Sequence, residues 1–268
     1  VPEYPYIPLD NKGWRLAMGL RPLEESRWFE VDEHREEELA LKNSLLTERR
    51  TTVVATRARA NEASDELLEA IVMNLTKYHP SLSLEVNYEE HPIVAASRLV
   101  QEDLCILVRD NAWRLEAACV CFPSRWSLVN KIGASLDDIH EPVPGYDMEL
   151  ASPTNAVFNR MTPQRSFWRL NWTLLDDEAL HQPSNTSSLH IESRDEWFFR
   201  VERQTLRQLE KTKAIVFTIR TYVSPLSELR ETSGEFYANL VHAIEAAPTS
   251  MKEYKGWIGV AEKLRSAL

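Results

Sequence analysis

The sequence predicts an α+β fold, an antiparallel sheet held between helical ends. Two observations carry this. Helix-patterned segments fill the first hundred residues and return after Pro225, while strand-patterned runs cluster between Leu104 and Val223. That central block opens on a hairpin: LCILVR and WRLEAACVCF are apolar runs joined at Asp110-Asn111. Helices, then strands, then helices argue for segregated α+β and against an alternating parallel sheet.

The elements come in this order. VPEYPYIPLDNKGWRLAMGL is rich in proline and aromatics and reads as an extended arm; proline lowers its entropy and the aromatics anchor it. DEHREEELALKNSLLTERR has an acidic start, a basic end and helical apolar spacing through Leu39, Leu45 and Leu46, with its acidic run as a solvated face. SDELLEAIVMNLTKYHP is a clearer helix, capped by Ser64 or Asp65, apolar through Leu67, Leu68, Ile71, Val72 and Leu75, and stopped at Pro80. In the centre, FWRLNWTLL, WFFRV and AIVFTIRTYVSPL add strands. Helices are expected after Ser135 and around 147–160, and HQPSNTSS reads as a polar loop. SELRETSGEFYANLVHAIEAA, SMKEYKGW and VAEKLRSAL then return to helix; Gly234 weakens the first by about 1 kcal/mol relative to Ala and marks a kink. The expected organisation is one domain over 1–268, with an N-terminal arm and helices (1–100), a sheet core (101–225) and C-terminal helices (226–268).

A net charge of -10 repels phosphate backbones, and no basic patch offsets it, so nucleic acid is not an expected partner. No apolar run approaches the roughly 18 residues of a membrane span. The chain begins at Val1, not Met, which reads as a trimmed segment without any targeting peptide. Cys105, Cys119 and Cys121 are odd in number, with two in one strand-like run; this fits buried reduced thiols and an intracellular location. Three thiols fall short of the four ligands of an iron–sulfur cluster, and no C-x-x-C-H offers covalent haem attachment. Glycine-rich nucleotide loops, H-E-x-x-H and G-x-S-x-G are absent, so a dinucleotide enzyme, a zinc protease and a standard serine hydrolase are not indicated.

Seven histidines remain. His34, His79, His91 and His181 read as surface residues and His242 as part of an apolar helix face, with His190 ambiguous. His140, in WSLVNKIGASLDDIHEPVPG, ends a short helix, and Pro142 and Pro144 then stiffen the backbone. A fixed ring loses little entropy on binding metal. On residues alone, two readings stay open: a turn histidine, which is the plainer one, or a ligand. Arg203 and Arg220 lie in apolar strands and need an anion, either a structural carboxylate such as Glu202 or one on a helix, or a cofactor carboxylate. Arg169, Asn171 and Trp172 share a neighbouring strand, where an indole could line a pocket, and Lys131 is a cation close to His140.

MGLRPL, QEDLCIL, FPSRWSLVNKIGASLDDIHEPVPGY, RLNW and RVERQTL…AIVFTIRTY occur in that order. In this the chain resembles the haem-dependent oxidative N-demethylase α-subunit family over about residues 6–225. The resemblance implies a PAS-like antiparallel sheet with flanking helices and haem b with His140 as its iron ligand. It implies Lys131, Arg203 and Arg220 as cations for the haem propionates, and Arg203, Asn171 and Trp172 as groups that polarise O2. A cationic amine would need a carboxylate, for which Asp176, Asp177 and Glu202 are candidates. The implied reaction is oxidation of dimethylamine by O2 to methylamine and formaldehyde. Its electrons would come from NADPH through flavin and [2Fe–2S] components of a separate reductase subunit. Two other functions share the scaffold: a haem sensor or carrier without turnover, and a haem-free module in which His140 is a turn residue.

Overall fold

The computed structural model describes residues 6–183, 197–232 and 234–266. Most of the expected HQPSNTSS loop, and His190, lie outside the described residues. The chain runs β1 (Arg21–Pro22), α1 (Arg35–Glu48), α2 (Arg50–Val53), β2 (Val54–Thr56), α3 (Asn61–Tyr78) and α4 (Pro92–Ser97). The hairpin β3 (Asp103–Arg109) and β4 (Trp113–Cys119) comes next, then α5 (Leu136–His140) and α6 (Ala151–Arg160). Three long strands succeed them: β5 (Phe167–Leu175), β6 (Phe198–Gln208) and β7 (Ile215–Pro225). α7 (Leu226–Thr232), α8 (Gly234–Ala246), α9 (Thr249–Lys255) and α10 (Val260–Ser266) close the chain.

One seven-stranded sheet has the order β1-β5-β6-β7-β3-β4-β2, and its strand pairings are antiparallel. Without the two short edge strands, the five core strands in chain order lie as 2-1-5-4-3, the PAS arrangement. α5 and α6 are inserted between the second and third core strands. The α+β expectation is thus the observed fold class.

Alternation along each strand gives the sheet two faces. On one, here the α3 face, Leu104, Ile106 and Val216 join Leu67 and Ile71 of α3 and Ile93 of α4. Farther along that face, Leu174, Phe199 and Val201 pack on Leu229, Phe236, Leu240 and Trp257 from the C-terminal helices. On the α5 face, Leu107, Leu206 and Ile215 meet Leu136 of α5, Phe158 of α6 and Met161. Cys105 and Ala118 meet Leu128 and Ile139 there.

Several expectations need correction. The acidic run of α1 is not wholly solvated: Glu38 and Lys42, one turn apart, are buried. Glu38 pairs with Arg220 at 2.7 Å, while Lys42 donates to the carbonyls of Val100 (2.9 Å) and Glu102 (2.6 Å). α3 begins at Asn61, ahead of the expected caps, and Ser64 bonds back to the Ala60 carbonyl at 2.7 Å. β6 continues past WFFRV through ERQTLRQ, where Glu202, Gln204 and Thr205 find hydrogen-bond partners and Arg203 pairs with Glu30. His91 caps α4 through its ring nitrogen, with Pro92 in the first turn. Cys105, Cys119 and Cys121 are buried free thiols, and the expected kink falls where α7 gives way to α8.

Candidate functional site

α5 has five residues, too few to hold itself, so its ends must be fixed from outside. Gly133 donates to the Leu115 carbonyl (2.7 Å) and Leu115 to that of Ala134 (3.1 Å), which ties the approach to β4. Gly133 has φ +78°, and a Cβ there would lie 2.1 Å from the Arg57 guanidinium. Ser135 and Asp138 form a reciprocal capping box, with Asp138 N–H to Ser135 Oγ at 3.2 Å and Ser135 N–H to Asp138 Oδ2 at 3.1 Å. Lys131 Nζ donates to the Ile139 carbonyl at 2.7 Å, a cation on the helix C-terminus.

His140 Nδ1 lies 2.7 Å from the Leu136 carbonyl. A carbonyl only accepts, so Nδ1 carries the proton and the Nε2 lone pair is free. Burial pushes the imidazole pKa below its ordinary value. The charges of Arg169 and Lys131 push the same way, and the Leu136 bond and Asp137 oppose them. A neutral imidazole at pH 7 is the result. The chain then folds back: Val143 donates to the His140 carbonyl at 2.8 Å, Tyr146 to that of Val143 at 3.1 Å, and Gly145 turns with φ +80°. The Tyr146 ring thereby stacks on His140, centroids 4.8 Å apart and planes inclined by 14°.

Across from α5, strand pairing sets Asn171 opposite Glu202, and Arg169 opposite Gln204, on the α5 face. Asn171 Nδ2 (3.3 Å) and Gln204 Nε2 (3.0 Å) donate to Glu202 Oε2, and Arg200 Nε lies 3.2 Å from Oε1. Arg169 Nε is buried without a hydrogen-bond partner, and among the described residues Arg169 makes no ion pair. Burial lowers its pKa, with Glu202 partly offsetting this. β5 is half-buried at every residue from Phe167 to Thr173, so packing closes it on neither side there. Lys255 of α9 donates to the Trp172 carbonyl at 3.1 Å, where β5 lacks an outer partner strand. Burial lowers Lys255 to about 8; Glu202 opposes the shift and Arg169 adds to it.

The structure therefore puts Lys131 and Arg169 within electrostatic reach of His140, sets Asn171 on the α5 face with Glu202, and places Arg203, Arg220 and Trp172 on the α3 face. Arg203 pairs with Glu30 at 3.3 Å and donates to the Arg27 carbonyl. Arg220 pairs with Asp32 and Glu38, each at 2.7 Å. Of the two anion classes expected for these arginines, structural carboxylates fill the place: Glu38 on helix α1 with Asp32 for Arg220, and Glu30 instead of Glu202 for Arg203. Trp172 stacks on Trp257 at 4.8 Å. Asp176 is paired with Arg125, and Asp177 accepts from Ala179 N–H at 2.8 Å, which leaves Glu202 as the acid on the α5 face. Sequence reasoning assigned no role to Arg169, Gln204, Lys255 or Tyr146. The i,i+2 spacing of Arg169 with Asn171, and of Glu202 with Gln204, was the available signal.

This donor set fits haem. Among the described residues no three His, Cys, Asp or Glu side chains converge as for a bare ion. A single neutral imidazole suits an iron whose in-plane ligands a porphyrin supplies. Arg169, half-buried with its Nε unpartnered and no ion pair among the described residues, suits a carboxylate arm.

Sheet order and site define a class: a PAS-type α+β protein presenting one neutral histidine, beside an arginine that Glu202 only partly compensates, to one face of its sheet. The family model for haem-dependent oxidative N-demethylase, alpha subunit-like, matches residues 19–265, and the chain belongs to that family. The family's name carries haem dependence, and "alpha subunit-like" implies a partner subunit. Among the described residues no helix is long and apolar enough to cross a membrane.

Proposed function

We propose that the protein is a haem b-dependent oxidoreductase that uses O2 to N-demethylate a small amine. Electrons would come from NADPH through a flavin and [2Fe–2S] reductase on a partner subunit. The observation that carries this reading is His140, with Nδ1–H fixed on Leu136 and Nε2 free, beside the unpartnered Nε of Arg169. Haem, when bound, supplies the iron that binds O2 and accepts the electrons.

The chain's own residues do the rest. His140 holds the iron through Nε2. Arg169 and Lys131 take the haem carboxylates in place of Arg203 and Arg220; among the described residues one of the three Lys131 donors is engaged, on Ile139. Glu202 receives the substrate ammonium, a charge-assisted contact strengthened by its burial. Asn171 and Gln204 hold its Oε2 in place. Lys255, which burial lowers to about 8, donates to the Trp172 carbonyl and so holds the outer edge of β5 beside Asn171. Arg203 and Trp172 support the site from the opposite face of the same strands.

The test is protein purified with a haem supply. A Soret band that His140→Ala abolishes or alters in ligation is expected, as is formaldehyde from dimethylamine with reductant and O2. No Soret band returns the chain to a haem-free module. A Soret band without formaldehyde across an amine panel returns it to a sensor or carrier.

A further inference from the structure

We infer that Tyr146 is a positioning residue for His140, fixing the plane of the imidazole by ring stacking through a hydroxyl tethered to Asp137. The inference rests on His140 being the iron ligand and extends that reading to what orients the ring. The Nδ1 bond to Leu136 sets one direction of the imidazole and leaves its plane free to rock about that line. A flat partner removes that freedom, and Tyr146 lies within 14° of coplanar at 4.8 Å.

Three elements converge to hold the phenol. Tyr146 is only 4% exposed, and its hydroxyl donates to Asp137 Oδ1 at 3.2 Å. Asn155 of α6 donates to both Asp137 oxygens, at 2.9 and 3.2 Å, and also to the Ala151 carbonyl at 3.0 Å. Asp137 belongs to α5 itself, so the tether ties the stacking ring to the helix that carries the histidine. The approach is equally constrained. Gly145 has φ +80°, and a Cβ there would lie 3.3 Å from both Leu16 Cδ2 and Glu149 Oε1. Tyr146 opens a π-helical turn, Tyr146–Leu150, that leads into α6; such turns recur at functional sites. A ring that merely filled space would need neither the near-coplanar overlap nor a carboxylate held by a third element.

The experiment compares Tyr146→Leu, which removes the ring, with Tyr146→Phe, which keeps the ring and drops the hydroxyl. In haem-loaded protein, Tyr146→Leu is expected to speed haem transfer to a scavenging apo-globin on the order of tenfold, and Tyr146→Phe within about threefold. The ferrous iron–imidazole stretching band should shift in Tyr146→Leu and recover in Tyr146→Phe, a response that altered packing elsewhere would not give. In haem-free protein, proton NMR of His140 should carry the ring-current shift of a stacked phenol, kept in Tyr146→Phe and lost in Tyr146→Leu. Unchanged haem loss with an unchanged band in Tyr146→Leu overturns the inference. If the wild type takes up no haem, the functional reading falls, and the NMR shift alone decides, an unchanged shift refuting. Should Tyr146→Leu fail to fold, Tyr146→Met, which also removes the ring, takes its place, and an unaltered band there overturns the inference too.

Discussion

Replacing Arg220 with methionine separates the two roles open to that residue. Its side chain is 0% exposed and pairs with Asp32 and Glu38 at 2.7 Å each. It also lies over the Tyr222 ring at 4.6 Å, and the buried Glu102 carboxyl feels its charge. Methionine fills much of the volume but leaves these acids without their cation. Removing one partner of a buried ion pair costs about 3–5 kcal/mol. At roughly 2–4 °C per kcal/mol for a chain near this size, melting should fall by roughly 6–20 °C. Urea unfolding of the haem-free protein, followed by tryptophan fluorescence, should show a lower midpoint at constant slope.

The pH dependence carries a sign. Burial alone would raise the Asp32 carboxyl, but Arg220 and Gln101 hold it below the usual value. Burial keeps Glu38 and Glu102 above theirs even with Arg220 present. Without the guanidinium all three rise above their unfolded values near 4, and the folded variant takes up protons first as pH falls. The deficit against wild type is therefore largest at pH 7 and narrows toward pH 5. A deficit below about 1 kcal/mol at pH 7 refutes the reasoning. Lost haem retention with a wild-type urea midpoint would return Arg220 to the role of cofactor clamp.

Two further substitutions probe the α5 side. Gly133→Ala adds a side chain at φ +78° that strikes Arg57, whose Nε lies 3.5 Å from Glu116, an acid 3% exposed. Arg57 is half exposed and can swing aside, so the left-handed backbone sets the cost at about 1–2 kcal/mol in urea, and a loss under about 0.5 would contradict this account. Glu202→Gln should keep the Soret band while weakening amine saturation on the order of tenfold to a hundredfold, as loss of a charged hydrogen bond of about 1.5–3 kcal/mol requires. Unaltered saturation would remove Glu202 from the substrate site.

What the sequence revealed and what it hid have physical causes. β3 and β4 were legible because each is an apolar-rich run and the two flank an Asp-Asn turn. α5 was legible because Ser135 and Asp138 sit at capping-box spacing. The faces of Arg203 and Arg220 were not legible: ERQT carries polar groups on both sides of β6, and a one-residue change of phase moves every side chain across the sheet. The buried side of α1 was hidden likewise, since Glu38 and Lys42 look outward by hydropathy. Their partners are Arg220 and the carbonyls of residues 100 and 102, remote in sequence.

The sheet divides its charges unequally between its faces, and Arg169 carries the imbalance. On the α3 face, Arg203 and Arg220 are each matched by carboxylates from the N-terminal segment. On the α5 face, Arg169 has a buried Nε without a partner and no ion pair among the described residues. Its desolvation is only partly offset by Glu202 in the haem-free fold and would be offset further when an anion arrives. Arg169→Met should therefore leave the haem-free protein as stable as wild type or more so in urea, the reverse of Arg220→Met. The same substitution should weaken haem retention on the order of tenfold, as loss of one charged contact implies. If Arg169→Met destabilises the haem-free protein as much as Arg220→Met does, Arg169 is a structural cation, and the α5 face loses its claim to a bound anion.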